Sequence, residues 1–327
     1  MYYQDRLYGE FEISEPVVLD LINCPSLQRL KNIDQAGYSK SYFSGKGHSR
    51  FEHSVGVFLI LKKYQASPKE QIAGLIHDVS HSAFSHCIDY VLDSGSEKEH
   101  NHQDNIFRDF VRKSEIAEII KRYGFDLDYI LNDNNFPLKE KELPDLCADR
   151  IDYSLRAALI FDEINKDEVK YFLNNLQALN GNWVFKNFTA AEKYAKLFFK
   201  LNNIYFAGLR SATMFRTVGD CLKYALKENY ISKKDLYADD KQIISKISNY
   251  LEDDKKLKLL FERMNNKIAF SNDPKNYDAE VFCKSRVVDP LFLDKNNLKR
   301  VSGKDPQWKE ILEKESKPKC YFLKFKV

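Results

Sequence analysis

Apolar side chains recur at helical spacing through most of this chain. Val17 to Ile33 carries Val18, Leu19, Leu21, Ile22, Leu27 and Leu30, a stripe that predicts an amphipathic helix. Phe51 to Tyr64 repeats it with Phe51, Val55, Phe58 and Leu59 and closes on Lys62-Lys63. Pro68 opens the next helix in its first turn, where a missing N–H costs nothing. That helix runs through Ile72, Leu75 and Ile76 into His77-Asp78. Further helical patterns cover Gln103 to Val111, Ile116 to Tyr123, Leu143 to Phe161 and a long stretch from Ala190 to Lys227. Strand signals are fewer. Asn180-Gly181-Asn182 before Trp183-Val184-Phe185 reads as a hairpin turn, and Val281-Phe282-Cys283 and Cys320 to Val327 read as strands. The polar run Asn272-Asp273-Pro274-Lys275-Asn276 reads as a loop before a small mixed C-terminal part. The expected fold is mainly α, with a helical core over residues 1–235 and an accessory α+β region over residues 236–327 packed on it.

Composition narrows the setting. Of 327 residues, 43% are hydrophobic and 30% charged, which is ordinary for a soluble globular protein. A chain this long buries a sizeable core without staples. The six cysteines are scattered with no CxxC pair. That argues for a reducing compartment and against a disulfide scaffold or a structural zinc site. Met1 to Arg6 has no apolar signal core, and the longest apolar run, Val55 to Leu61, is too short to span a bilayer. A cytoplasmic protein without membrane contact is expected. The net charge of +3 permits anionic ligands without requiring nucleic acid. Runs such as Lys255-Lys256-Leu257-Lys258 and Lys299 to Lys304 read as solvated faces, so nucleic acid ranks last among the expected partners.

The chemistry is concentrated. All seven histidines lie between His48 and His102. His53, the His77-Asp78 pair and Asp149 sit on three separate predicted helices. Two imidazoles and two carboxylates make a nitrogen/oxygen ligand set that suits Mn, Fe, Co, Ni or Zn better than Mg. A divalent ion there lowers the pKa of bound water from about 15.7 towards ~7. His81 stands four residues after His77 and shares its face if the helix continues, although Ser80 and Ser82 flank it. Phe84 to Asp89 then supplies His86 and Asp89, and an Asp can hold a His in one tautomer. Arg50 precedes His53 by three residues and Arg150 follows Asp149, a placement that suits a phosphate-bearing ligand.

These blocks resemble the HD-domain phosphohydrolase superfamily, whose signature is H…HD…D. They read Arg50-Phe51-Glu52-His53-Ser54-Val55-Gly56-Val57, then His77-Asp78-Val79-Ser80-His81-Ser82-Ala83-Phe84-Ser85-His86, then Ala148-Asp149-Arg150-Ile151-Asp152-Tyr153. They look most like the branch of deoxynucleoside triphosphate triphosphohydrolases and their uncharacterised bacterial relatives. The resemblance runs from about Leu21 to about Lys227, and Arg286-Val287-Val288-Asp289-Pro290-Leu291 looks like the bacterial relatives. It implies an HD-domain helical core with a small hairpin, and His53, His77, Asp78 and Asp149 as ligands of a divalent metal. It implies His81 and Asp89 as a catalytic pair and His102, ahead of His100, as the acid that protonates the leaving oxygen. It further implies Arg50, His86, Arg150 and Tyr153 as contacts to phosphate or sugar, and Gln35 as a reader of the nucleoside.

Two positions depart from that branch. Ala157 stands where an acidic residue holds the sugar 3′-hydroxyl, and Met214-Phe215-Arg216-Thr217 replaces a Tyr-Gln-His-Lys block against the deoxyribose. The expected activity is therefore metal-dependent phosphate-ester hydrolysis on a nucleotide, with dNTP triphosphohydrolase as its narrowest form. Phosphomonoesterase, cyclic-nucleotide phosphodiesterase and a non-catalytic nucleotide or nucleic-acid binding module are the alternatives. A phosphorylated small molecule is the expected partner. A homo-oligomer is also expected, with the helix over Ala190 to Lys227 as one candidate face.

Overall fold

A computed structural model describes residues 1–295 and 297–326. The apolar stripes become helices, and the fold is mainly α: 53% helical, with fifteen helices and a few small sheets among the described residues. At the centre lies the helix Arg50–Lys63. Ser49 caps it, accepting from the Glu52 backbone N–H while the Glu52 side chain accepts from the Ser49 N–H, so two of its otherwise unpaired N-terminal donors are satisfied. Phe51, His53 and every residue from Val55 to Leu61 are buried, as are Arg50 and Ser54. The single stripe expected at Phe51, Val55, Phe58 and Leu59 is thus only half of what this helix buries. It packs against Pro68–Ile76 on one side and Ala148–Ile160 on the other.

Three helical stretches are shorter than their periodicity suggests. Val17 to Ile33 divides into Pro16–Asn23, Pro25–Arg29 and a 3-10 turn at Leu30–Asn32, because Pro25 lacks the N–H that would continue the first helix. Leu143 to Phe161 is helical only from Ala148 to Ile160. The long stretch breaks into Phe188–Leu201, a π-helical turn at Asn202–Phe206, and Leu209–Lys227. Gly208 sits at this break, where a Cβ would come within 2.6 Å of the Asn203 and Ile204 carbonyl oxygens.

The N-terminal hairpin Tyr2–Asp5 with Gly9–Glu12 has no counterpart in the patterning. The hairpin Leu176–Leu179 with Asn182–Phe185 does. It extends into a four-stranded sheet because Asn182–Phe185 pairs in parallel with Leu291–Asp294, which pairs in turn with Asn297–Arg300. The expected strands at 281–283 and 320–327 appear as Ala279–Cys283 and Lys319–Phe325, joined by Phe270–Asn272 in a second sheet. Val327 lies outside the described residues. Residues on both sides of position 235 share their cores: Trp183 and Phe198 cluster with Val287, Phe292 and Trp308, and Met214 and Val218 with Val281, Cys283 and Leu323. Among the described residues no helix is long and apolar enough to cross a membrane.

Candidate metal centre and the adjoining cavity

His53 projects from the middle of the central helix with no exposed surface. Its Nδ1 lies 2.8 Å from Asp152 Oδ2. A carboxylate at that distance accepts, so Nδ1 donates to it and Nε2 is the nitrogen that would bind a metal once it gives up its own proton. His77 is the residue at which the helix Pro68–Ile76 ends, not a residue of its interior. Its Nδ1 is 2.7 Å from the Gly74 carbonyl oxygen, which again only accepts, so the second Nε2 is likewise the nitrogen that would bind a metal. The two Nε2 atoms face each other at 3.2 Å. Asp149, in the first turn of Ala148–Ile160, places Oδ1 2.8 Å from His53 Nε2 and 3.5 Å from His77 Nε2. Two imidazole nitrogens and a carboxylate oxygen that converge this closely need a proton or a metal ion among them, and without metal the second proton of His53, bonded to Asp149, fills that place. The ligand atoms of His53, His77 and Asp149 lie within 4.8 Å of one another, a spacing a single ion spans. Asp78 borders the same point, with Oδ1 3.5 Å from His77 Nε2 and Oδ2 3.8 Å from His53 Nε2. Its Oδ2 also accepts from Arg50 at 2.6 Å.

The electrostatics agree with the geometry. Burial opposes a charge on His53, but the hydrogen bonds to Asp149 and Asp152 and the nearby Asp78 carry its pKa up to about 9 when no metal is bound. A ligand imidazole must be neutral. Below pH 9, metal binding therefore displaces a proton, and apparent affinity rises about tenfold per pH unit from pH 6 to 8. Calorimetric titration with Mn in buffers of different ionisation enthalpy measures the released proton directly, and a pH-independent affinity would contradict this assignment.

Asp152, to which sequence reasoning gave no role, joins the site. It is fully buried and three residues after Asp149, hence on the same face of that helix. Burial raises its carboxyl pKa, but Arg156 and the His53 hydrogen bond outweigh that and hold it well below the usual range. Arg156 binds it through Nε at 3.0 Å and Nη2 at 2.8 Å, and Nη2 also reaches Asp5 Oδ2 of the N-terminal hairpin at 3.0 Å. Tyr8 donates to Asp152 Oδ1 at 2.9 Å. Only glycine fits at position 56, since a Cβ would lie 2.1 Å from Asp152 Oδ1 and 2.2 Å from Arg156 Nη2. Carboxylates that orient a ligating histidine change metal affinity by about 10–100-fold when altered. Asp152→Asn is expected to lose that much Mn affinity, measured by competition with a chromophoric chelator, and to be less stable as well, because Arg156 keeps only Asp5 as a counter-charge.

Beyond His77 and Asp78 the chain turns sharply. Phe84 and Ser85 both adopt left-handed backbone, at φ of 58° and 46°, a conformation that non-glycine residues hold only under strong constraint. Arg50 supplies part of that constraint through Ser85 Oγ at 2.8 Å and the Gln35 carbonyl at 2.8 Å. With Asp78 this occupies all three sides of the guanidinium, so Arg50 ties Asp78 to the loops of Gln35 and His86. His81 lies with Nε2 3.3 Å from Asp78 Oδ1, and burial, reinforced by Arg50, lowers its pKa to about 4. His86 stands edge-on to His81, with centroids 5.1 Å apart. His86 Nδ1 lies 3.5 Å from Asp89 Oδ2, without hydrogen-bond geometry.

A cavity of about 90 Å³ opens beside this cluster, lined by Gln35, His86 and Tyr153 among the expected residues. Ala157 and Phe215, the two positions of departure, line it as well. So do His48 and Arg286, to which the sequence assigned no part, and His100, the second candidate for the leaving-group acid. His100 is 2% exposed, left-handed at φ 51°, and stacked on His86 at 5.1 Å and 27°. His102 is elsewhere. Its Nδ1 contacts Ser94 Oγ at 2.9 Å, its Nε2 lies 3.3 Å from Tyr237 Oη, and its backbone N–H donates to Asp89 Oδ1 at 2.9 Å. His100 in the loop and His102 at the start of the helix His102–Lys113 point in different directions, and no pattern in the sequence says which faces the cavity. Arg150 also turns away from the cavity, donating to the carbonyls of Lys141 at 3.2 Å and Asp145 at 2.6 Å. It braces the segment before the Asp149 helix.

Comparison with known proteins decides the family. Residues 50–157, the span from Arg50 to Ala157, match the family described as HD domain. Uncharacterized protein YdhJ of Bacillus subtilis is 35% identical over 301 residues, covering 91% of each chain. The chain belongs to the HD-domain superfamily of metal-dependent phosphohydrolases. Mouse deoxynucleoside triphosphate triphosphohydrolase SAMHD1 is 32% identical over 142 residues, which cover 37% of this HD-domain protein but only 21% of SAMHD1. The structure of a Bacteroides thetaiotaomicron phosphohydrolase matches all of both chains with a TM-score of 0.71 at 17% identity, a likeness of fold.

Proposed function

We propose that this HD-domain protein hydrolyses a phosphate ester of a nucleotide at the His53, His77, Asp78 and Asp149 centre. The observation that carries the reading is the convergence of two imidazole nitrogens and a carboxylate beside a cavity whose polar wall has no partners. Gln35 Oε1, His48 Nε2, His86 Nδ1, His100 Nδ1 and Tyr153 Oη are all buried without a hydrogen bond. Buried polar atoms left unpaired cost about 1–3 kcal/mol each, so together they favour a polar ligand. When bound, a divalent cation (Mn, Fe, Co, Ni or Zn, with Mg as the remaining alternative) activates water and neutralises charge at phosphorus.

The chain's own residues do the rest. Asp152 and Gly74 fix the tautomers of His53 and His77. Arg50 and Asp78 hold the Gln35 and His86 loops in register with the metal. Burial, followed by the nearby positive charge of Arg50, keeps His86 well below its usual pKa. His100 is lowered in the same way by burial and by His86. Both rings are therefore neutral at pH 7 and offer N–H groups to charge that develops on phosphate oxygens. The geometry favours His100 over His102 as the group nearest the leaving oxygen and leaves His102 with Asp89 as a brace. His81, beside Asp78 and against His86, is the bridge between the metal centre and that pair. Arg150 supports the Asp149 helix, and Tyr153 offers its hydroxyl to the substrate.

The similarity to SAMHD1 makes dNTP triphosphohydrolysis the narrowest form of this proposal. Ala157 leaves no carboxylate for a sugar 3′-hydroxyl, which favours a broader phosphohydrolase. The test is phosphate, pyrophosphate and triphosphate release across dNTPs, NTPs, nucleoside monophosphates and cyclic nucleotides with Mn or Fe. Triphosphate from dNTPs alone supports the narrow form, and orthophosphate from monoesters supports the broad one. Tight nucleotide binding with no product under any metal would favour a binding module. A cytoplasmic homo-oligomer is the proposed setting, checked by light scattering with and without nucleotide.

A further inference from the structure

Anion recognition in this cavity needs a cation that the protein has not already used. Arg50 has given its guanidinium to Asp78, Ser85 and Gln35. Arg150 has given two of its three nitrogens to backbone carbonyls and to Cys147 Sγ, and it does not line the cavity. Arg286 differs. It lines the cavity with His86 and His100, and its side chain makes no ion pair or hydrogen bond among the described residues.

Its backbone, by contrast, is firmly placed. Asn202, fully buried in the π-helical turn that interrupts the long helix, accepts from the Arg286 N–H at 2.9 Å and donates to Ser285 Oγ at 3.0 Å. Val287 and Val288 are buried immediately afterwards. The residue is thus fixed at the cavity wall by its backbone while its charge is left unmatched. Facing it, His100 Nδ1 is unpartnered in a residue only 2% exposed, and His86 Nδ1 is unpartnered as well. A guanidinium fork and two neutral imidazoles, with no carboxylate paired to the fork, match the oxygens of a phosphate group.

We propose that Arg286, together with His86 and His100, binds a phosphate of the substrate other than the one that meets the metal. The inference rests on the phosphohydrolase reading and adds to it: the preferred substrate carries at least two phosphates, and the C-terminal region supplies the residue that senses the second. It also gives the break at Asn202–Phe206 a purpose, since the buried side chain that holds the Arg286 backbone belongs to that turn.

The test uses the full chain with its metal in place and two inorganic probes, tripolyphosphate and orthophosphate, titrated calorimetrically. Metal content is measured before and after each titration so that stripping by tripolyphosphate is scored separately. The wild-type protein is expected to bind tripolyphosphate more tightly than orthophosphate. Arg286→Gln is expected to weaken tripolyphosphate by about 10–100-fold, the range of one charge-assisted contact, and orthophosphate much less. Arg286→Lys keeps the charge without the fork, so it recovers part of the loss, which a purely structural role would not predict. If Arg286→Gln proves unstable, the lysine variant decides alone. Equal affinity of wild type and Arg286→Gln for tripolyphosphate would overturn the proposal, as would a wild type that does not distinguish the probes. The hydrolase reading is tested separately by His77→Ala, so either can fail while the other stands.

Discussion

His77→Ala and Asp78→Ala each lower phosphate-ester turnover by about three orders of magnitude or more. The reason is additive geometry around one point. His77 Nε2 is one of two imidazole nitrogens facing each other at 3.2 Å, and its removal leaves a single nitrogen and two carboxylates. Asp78 borders the same point and also holds Arg50, so its loss both weakens the cation site and frees the guanidinium that ties down the Gln35 and His86 loops. A metal contributes several kcal/mol to a phosphoryl-transfer transition state, and each 1.36 kcal/mol is about tenfold in rate. The two variants are expected to differ in their cause. His77→Ala purifies with little metal and near-native stability. Asp78→Ala loses metal and is also less stable, because Arg50 is left buried without its counter-charge. Steady-state kinetics, elemental analysis and thermal melts on the same preparations separate the two.

Arg156→Ala has the largest expected effect on stability, about 3–5 kcal/mol. Arg156 is 1% exposed and bridges two carboxylates, Asp5 at 3% exposure and Asp152 at 0%. Without it both acids remain buried with no cation between them. Asp152 takes up a proton more readily, which weakens its hold on His53, and Asp5 no longer anchors the N-terminal hairpin. Denaturant melts should show a lower midpoint, and the loss should shrink at acid pH. The sign follows from Asp152, whose pKa Arg156 holds well below that of the unfolded chain: its contribution is present above the unfolded carboxylate pKa and disappears as pH falls through the depressed one. A melt unchanged at pH 7 would show that the cluster is not coupled to the fold.

How much of this was legible in the sequence depended on whether local pattern or tertiary contact set the outcome. The helices at Arg50–Lys63, Pro68–Ile76, His102–Lys113 and Glu115–Arg122 follow from apolar spacing, caps and a well-placed proline. The convergence of His53, His77 and Asp149 was legible because their spacing and the resemblance coincide. The break at Asn202–Phe206 was not, because its apolar spacing continues through Ile204, Tyr205 and Phe206, and the interruption depends on Gly208 and on contacts with Ser285 and Arg286 some 80 positions away. The N-terminal hairpin was missed for the same reason: Asp5 is held by Arg156, 151 positions on. Arg50 and Arg150 were read as phosphate contacts from adjacency to ligands. Adjacency along a helix fixes where a side chain starts, not what it meets, and both found internal partners first. Asp152 was within reach of the pattern, since a carboxylate three residues after a ligand shares its face.

The central claim is that the convergence of His53, His77 and Asp149 is a working metal centre. It is tested most directly by metal content and product release on one preparation, before chelation, after chelation, and after stoichiometric return of Mn or Fe. The account predicts about one tightly held divalent ion per chain, loss of hydrolysis on its removal and recovery on its return, with no recovery in His77→Ala. Full hydrolysis by chelated protein that is free of metal by elemental analysis would contradict it.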